Sequence, residues 1–429
     1  MKGMNIEVLD DVELIQAQII GLIIKNEREK KDITAIKIAK DLGISRQYIS
    51  EIERGNRKIS YAVIDKIFEY LNVKFEYKYN KKVLDEFYSF LKYYYLNNME
   101  KAKQKLQKII KSAYRYTFDY PTIILSEYIL SRLNHNTYEL SLNFIKYVKK
   151  ELYTSFLYFK AHEYYIDRKY SKSLECIEQA VKYIRHLHAS IQFIAIIYYL
   201  KALVLDDICD YVASIKYNER AIKEFMKDYS LQNVLYSMLH QAIAYANLGL
   251  FKEAMKIYNE ILEKSSMIQD KKIMKMVKYN VCTCLFLNGK YNEILKFFNK
   301  HMINDKEPYM GEEYLSFNED IKIILSKVYY ELGDKKRSLS YFKRIKVENI
   351  EDQFMKNFID IHRYRLEDDL KSYEKALHKC FNEISEKDII HTKIFILKHL
   401  MKYYEDIKDY EKAFTYAKMI FEITEQMKK

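Results

Sequence analysis

AIAYANLGLFKEA, Ala242 to Ala254, runs in the order small, large, turn, aromatic, small. Ala242 and Tyr245 share one helical face, Phe251 opens a second helix, and Ala254 leaves room for the two helices to approach closely. The stretch therefore specifies a pair of antiparallel helices joined by a short turn. The pattern recurs along the chain. YSKSLECIEQA (170–180), YVASIKYNERA (211–221), FKEAMKIYNEI (251–261), YNEILKFFNKH (291–301), YEKALHKCFNE (373–383) and YEKAFTYAKMI (410–420) each open the second helix of such a hairpin.

Taking the small or apolar residue three after each aromatic gives Ser173, Ser214, Ala254, Ile294, Ala376 and Ala413 as anchors, with Ala102, Ser141 and Ser338 as weaker members, so about nine hairpins are expected. A second register supports the first. Twelve residues before five of the anchors stand Ala161, Ala202, Ala242, Cys282 and Ser326, followed three positions later by Tyr164, Leu205, Tyr245, Leu285 and Tyr329. This order resembles the tetratricopeptide repeat, with a period nearer 40 than 34, no Trp and no terminal Pro. The resemblance implies a right-handed α-solenoid over residues 83–429.

Composition agrees with an all-α chain. Only 8 Gly and 2 Pro interrupt 429 residues, while Tyr alone numbers 42. No run of eighteen apolar residues occurs, and the N-terminus lacks an apolar signal core, so a soluble cytoplasmic protein without a membrane partner is expected. Five cysteines (Cys176, Cys209, Cys282, Cys284, Cys380) are scattered without a CxxC pair and read as small buried residues, with no metal or cofactor implied.

The N-terminal part carries a different signal. In TAIKIAKDLGISRQYISEIERG, Thr34 to Gly55, Thr34 can cap one helix, Gly43 can end it, and Ser45 can cap the next. Ile49 and Ile52 turn inward, which leaves Arg46, Gln47, Tyr48 and Ser50 projecting near the start of the second helix and Glu51, Glu53 and Arg54 on its outer face. The first turn of a recognition helix is where base edges are met, and Arg and Gln have the bidentate geometry for guanine and adenine. Lys37 stands nearby, and Asn56, Arg57 and Lys58 follow as candidate phosphate contacts. The candidate DNA-binding set is therefore Lys37, Ser45, Arg46, Gln47, Tyr48, Ser50, Arg54, Asn56, Arg57 and Lys58.

The formal charge of +12 is not the source of this reading. Residues 1–75 hold thirteen Lys/Arg against twelve Asp/Glu, so local placement around the motif must supply the basic face. Amphipathic helices flank it, through Leu14, Ile15, Gln18, Ile19, Leu22 and Ile23 before and Tyr61, Val63, Ile64, Ile67, Phe68 and Leu71 after. The run resembles the helix-turn-helix of the lambda-repressor-like (XRE) family, down to its SRxxIS and ERG portions; Ala35 departs from the Gln common at the start of the first motif helix. A DNA-binding domain over 1–75, a linker over 76–82 and the repeat domain follow.

This order of domains resembles the peptide-pheromone regulators of Gram-positive bacteria, the Rap, Rgg, NprR, PlcR and PrgX group, and the viral arbitrium receptors. The resemblance implies a homodimer that binds double-stranded operator DNA through its N-terminal domains and a short linear signalling peptide on the concave face of the solenoid, a quorum-sensing function. Counting from the anchors places Tyr158, His162, Tyr165, Tyr199, Asp206, Tyr236, Asn247, Tyr279, Thr283 and Lys327 on that face, with Asn280 one position off and Asn233 a weaker candidate. Relatives use concave asparagines on the peptide backbone, which singles out Asn247. Late repeats from Tyr373 to Phe421, with Phe414, Ala417, Met419 and Phe421 on the last helix, are the expected dimer surface. No phosphate loop, GxSxG or HExxH occurs, so a non-enzymatic regulator is expected. Some relatives stimulate dephosphorylation of a response regulator, which leaves a protein-binding regulator of that kind as the alternative, and a purely structural scaffold as a third class.

Overall fold

The computed structural model describes residues 12–55, 60–111, 115–136, 142–184, 193–268, 270–301, 315–350, 353–383 and 390–426. These residues form helices and turns, and two compact units divide the chain, residues 1–197 and 198–429.

The first unit begins with α1 (Val12–Lys30), α2 (Ala35–Asp41), α3 (Arg46–Arg54) and α4 (Tyr61–Tyr70). Thr34 Oγ1 accepts from the Lys37 amide at 3.2 Å and Ser45 Oγ accepts from the Tyr48 amide at 3.1 Å, so both expected caps are made. Gly43 and Gly55 take the left-handed backbone that ends each motif helix. Ile19, Leu22, Ile23, Ile38, Ile49, Ile52, Ile64, Ile67, Phe68 and Leu71 are buried together on the helical periodicity that the sequence predicts. Tyr61 is the exception on its face: it is 60% exposed and meets Tyr77 edge-on.

Residues 73–80 form no helix, bend at Tyr77 and Lys78, and are not a bare tether. The Glu76 amide donates to Tyr116 O at 2.9 Å and the Phe118 amide to Lys78 O at 3.2 Å, while Phe75 stacks on Phe68 at 4.9 Å and meets Phe118 at 5.4 Å. The junction between motif and repeats is thus an aromatic seam within one compact unit.

Hairpins follow in sequence. In the first unit they are α5 (Lys81–Tyr95) with α6 (Met99–Ile110), α7 (Tyr120–Leu133) with the 3-10 turn Leu142–Tyr147, and α8 (Lys150–Ile166) with α9 (Tyr170–Tyr183). After α10 (Phe193–Asp207) come α11 (Tyr211–Lys227), α12 (Leu231–Asn247), α13 (Phe251–Ile268), α14 (Lys271–Leu287), α15 (Tyr291–His301), α16 (Leu315–Glu331), α17 (Lys335–Phe342), α18 (Gln353–Leu366), α19 (Leu370–Glu383), α20 (Ile390–Asp406) and α21 (Tyr410–Gln426). The two registers read from the sequence meet in space: Ser173 Oγ donates to Ala161 O at 2.8 Å, Ser214 Oγ to Ala202 O at 2.9 Å, and Ser338 Oγ to Ser326 O at 2.6 Å. Small residues at both positions let the helices close until a seryl hydroxyl reaches the facing carbonyl. Ser141 lies outside the described residues. Cys209, Cys282, Cys284 and Cys380 are buried and Cys176 half-buried, all as free thiols.

Candidate nucleic-acid and peptide interfaces

Helix α3 is held against α1 by backbone proximity. A Cβ on Gly21 would lie 2.2 Å from Ile52 O, and one on Gly55 would lie 2.5 Å from Gln18 Cα, so both glycines exist to let α1 and the end of α3 touch. Arg28 adds a polar clamp. Its Nε donates to Glu53 Oε1 at 2.6 Å, Nη2 to Oε2 at 3.2 Å and Nη1 to Ile33 O at 2.8 Å. That clamp corrects the expectation that Glu53 lies on the outer face: its carboxylate is mostly buried and neutralised by Arg28. Glu53 follows Ile49 by four residues, which puts it on the inner edge of α3.

With α3 so fixed, Ser45, Arg46, Gln47 and Arg54 are exposed, Tyr48 and Ser50 half-buried, and Lys37 and Lys40 exposed on α2. Gln47 Nε2 donates to Glu51 Oε1 at 3.3 Å along the helix surface. Asp41 accepts from the Tyr70 hydroxyl at 2.7 Å. All three acids near the motif, Asp41, Glu51 and Glu53, thus accept a hydrogen bond, and Arg28 neutralises Glu53 behind the exposed Lys37, Lys40, Arg46 and Arg54. Asn56, Arg57 and Lys58 lie outside the described residues.

The peptide candidates divide by environment. In the first unit Tyr158 is 7% exposed, with its hydroxyl 3.1 Å from that of Tyr94 and its ring 5.1 Å from Phe193. It is packing, not lining, because the neighbouring hairpins close around it. His162 and Tyr165 are half-buried beside it with ring centroids 6.3 Å apart, and burial lowers the His162 pKa.

In the second unit, Tyr199 meets His240 at 5.5 Å, and Tyr236, Tyr279 and Thr283 are half-buried, Tyr279 and Thr283 hydrogen-bonded to each other one turn apart. Asp206 is the outlier. Its Oδ1 is buried with no hydrogen-bond partner among the described residues, and desolvation, aided by Asp207, pushes its pKa up to about 7. Lys327 lies with its ammonium 4.3 Å from the Phe358 ring centroid, and burial pushes it down to about 8.

The register separates the asparagines from this row. His162, Thr283 and Lys327 each stand six residues before the left-handed residue of their hairpin, Arg168, Gly289 and Gly333. Asn247 stands two before Gly249, one position past the row of Tyr165 and Asp206, and is exposed. Asn280 donates to Met276 O at 2.8 Å, so its amide serves its own helix, and Asn233 donates to Ser230 Oγ at 3.0 Å. Arg28, Gly21, Phe358, Arg365 and His399 were not legible as site residues; only the fold brings them to their partners.

Residues 24–78 match the helix-turn-helix family and residues 236–265 the tetratricopeptide repeat family. A crystal structure of a Rap protein complexed with competence and sporulation factor superposes with a TM-score of 0.64 at 13% identity, over 81% of this chain and 99% of that one. The chain has a Rap-like fold. Aspartyl phosphate phosphatase F from Bacillus subtilis gives a TM-score of 0.58 at 13% identity, over 82% of this chain and 96% of its own. The Rap conjugation gene regulator of plasmid pLS20, in complex with the Phr* peptide, gives 0.54 at 15% identity, over 81% and 96%. No curated protein matches the chain by sequence. A helix-turn-helix domain therefore precedes a tetratricopeptide-type repeat region of Rap-like fold. No described helix is long and apolar enough to cross a membrane.

Proposed function

We propose that the chain is a transcriptional regulator whose binding to double-stranded operator DNA is controlled by a short linear peptide held along the first helices of its repeats. The observation that carries the DNA half is the Ser45-capped helix α3, with Arg46 and Gln47 exposed at its start and its rear face locked to α1. The Rap-like fold, found in one neighbour with the Phr* peptide bound, supports the peptide half. Tyr199, Asp206, Tyr236, Tyr279, Thr283 and Lys327 are the lining residues we favour, since tyrosines supply apolar area plus a hydroxyl and the two charged groups can fix orientation. A single small domain grips few phosphates, so the regulator acts as a homodimer on paired half-sites, and the exposed Phe414 and Phe421 of α21 supply the dimer surface.

Selection of duplexes from a random pool by the full chain tests the DNA half. Wild type should enrich one motif; Gln47→Ala should relax a single base position at a cost of about 1–3 kcal/mol. Enrichment of the same motif, to the same degree, by Arg46→Ala and Gln47→Ala variants would remove α3 as the reading helix. A second reading has its own support in the likeness to aspartyl phosphate phosphatase F: the repeats bind a response regulator and stimulate its dephosphorylation. Faster loss of acyl phosphate from such a partner, with no duplex enriched, would favour it.

A further inference from the structure

Helices α16, α18 and α20 are the first helices of the last three hairpins, and they bring together a set of cations that the DNA-binding reading does not use. Lys327 rests over Phe358, whose ring lies 4.7 Å from that of Phe395. His399 meets Phe395 at 4.2 Å. Arg365 lies over the Tyr330 ring at 4.5 Å and pairs with Glu331 at 2.8 Å. His362, 4% exposed, has its Nε2 2.9 Å from Ser326 Oγ.

The charge of this cluster does not close. Lys327 and Arg365 contribute two positive charges and Glu331 one negative, and Glu331 is committed to Arg365. Among the described residues no carboxylate lies within ion-pair distance of the Lys327 ammonium. The histidines feel the surplus: burial first, then Lys327 and Arg365, push His399 down to about 4 and His362 to about 3, so both are neutral at pH 7. The half-buried Lys327 ammonium feels Glu331 only at a distance, because that carboxylate is taken by Arg365, and resting on a phenyl face makes up only part of the hydration it gives up. Had Lys327 been needed only to fill space, a methionine would do it more cheaply.

We propose that this cluster is a carboxylate subsite, in which Lys327 receives an acidic group of the bound peptide while Phe358 and Phe395 pack the apolar side chain next to it. The inference rests on the peptide reading above and adds the chemistry of one end of that ligand. Arg365 is a positioning residue, held by Glu331 and Tyr330, that keeps the local potential positive. A carboxylate on Lys327 would supply the missing charge without displacing the Arg365–Glu331 pair. The group is either the C-terminal carboxylate or an Asp or Glu side chain.

The test incubates the full chain with four N-acetylated random heptapeptide libraries, each with a free C-terminal acid or an amide and with or without Asp and Glu, and identifies retained peptides by mass spectrometry. Wild type should retain carboxylate-bearing peptides over the amidated, Asp- and Glu-free library by about tenfold or more, the worth of one charge-assisted hydrogen bond. Preference for the free acid in the Asp- and Glu-free pair assigns the C-terminus; preference within the amidated pair assigns a side chain. Lys327→Met should erase the preference while still retaining peptides, and Lys327→Arg should keep most of it. Lys327→Met should also melt at a higher temperature than wild type without peptide, which confirms that the variant is folded and that the ammonium is uncompensated. Equal retention from all four libraries, or a preference unchanged in Lys327→Met, overturns the subsite alone. No retention of any peptide by wild type overturns the peptide reading and the subsite with it.

Discussion

At the scale of single residues, the close contact of Gly21 with Ile52 O fixes how α3 is presented. Gly21→Ala must separate α1 from α3, and overpacking of this kind costs about 1–3 kcal/mol. Thermal unfolding of residues 1–197 within the full chain should show that loss, with weaker duplex binding alongside; an unchanged melting profile would show that the two helices are not in contact there. Asp206 makes a pH-dependent prediction. Its folded pKa is raised to about 7 from an ordinary 3.8, so the fold binds the proton more tightly than the unfolded chain does. Stability is therefore lost as pH rises from about 4 to 7, and Asp206→Asn should gain in melting temperature over wild type more at pH 8 than at pH 4.5. Equal gains at the two pH values would mean that the carboxylate is solvated. His240 and His399 work in the opposite direction: with folded pKa values near 4 they lower stability as pH falls below about 6.5. Arg46 and Gln47 were legible because exposure at a helix start follows from local spacing. Glu53 was not, because its burial depends on Arg28, twenty-five residues away in sequence.

At the scale of the element, the hairpins share a device that composition conceals. Among the described residues, Asn97, His135, Arg168, Cys209, Gly249, Gly289, Gly333, Asp368 and Lys408 all take left-handed backbone just after the first helix of a hairpin. Only three are glycine, so a search for turn glycines finds three hairpins, whereas the small residues of the helix contacts reveal the others. The step between successive turns varies from 33 (His135 to Arg168) to 44 (Gly289 to Gly333), which is why the repeats look irregular although their pairing geometry is constant. Each non-glycine residue held there costs about 1 kcal/mol. Arg168→Gly and Lys408→Gly should therefore raise the unfolding midpoint or leave it unchanged, and Gly249→Ala, whose Cβ would meet nothing within 4 Å, should lower stability by about 1 kcal/mol through backbone strain alone. Denaturant titration distinguishes the signs; a destabilised Arg168→Gly would show that its side chain carries more than the turn. Ser214→Ala, which removes a buried donor to Ala202 O, should cost about 1 kcal/mol in the same assay.

At the scale of the whole molecule, domain order was legible because each part has its own periodicity: a capped two-helix motif, then a repeat near forty residues. The residues expected to face a peptide were legible only as a row. Which of its members carry charge without a partner depends on three hairpins meeting, and the asparagine favoured from family likeness falls one position outside it. Assembly is tested through the end of the chain, where Phe414 is 71% and Phe421 63% exposed. Replacing both with Asp should shift sedimentation of the full chain from dimer to monomer; an unchanged dimer would place the interface elsewhere. Control by peptide requires that the ligand favour one DNA-binding competence over the other, and a shift from 1:99 to 99:1 needs about 5.5 kcal/mol of differential binding, more than one contact supplies. The most direct measurement is the affinity of the full chain for its selected duplex, by fluorescence anisotropy, with and without a saturating amount of a retained peptide. The affinity should change by about tenfold or more, and by much less in Lys327→Met. An affinity that is the same with and without bound peptide would contradict peptide control of operator binding.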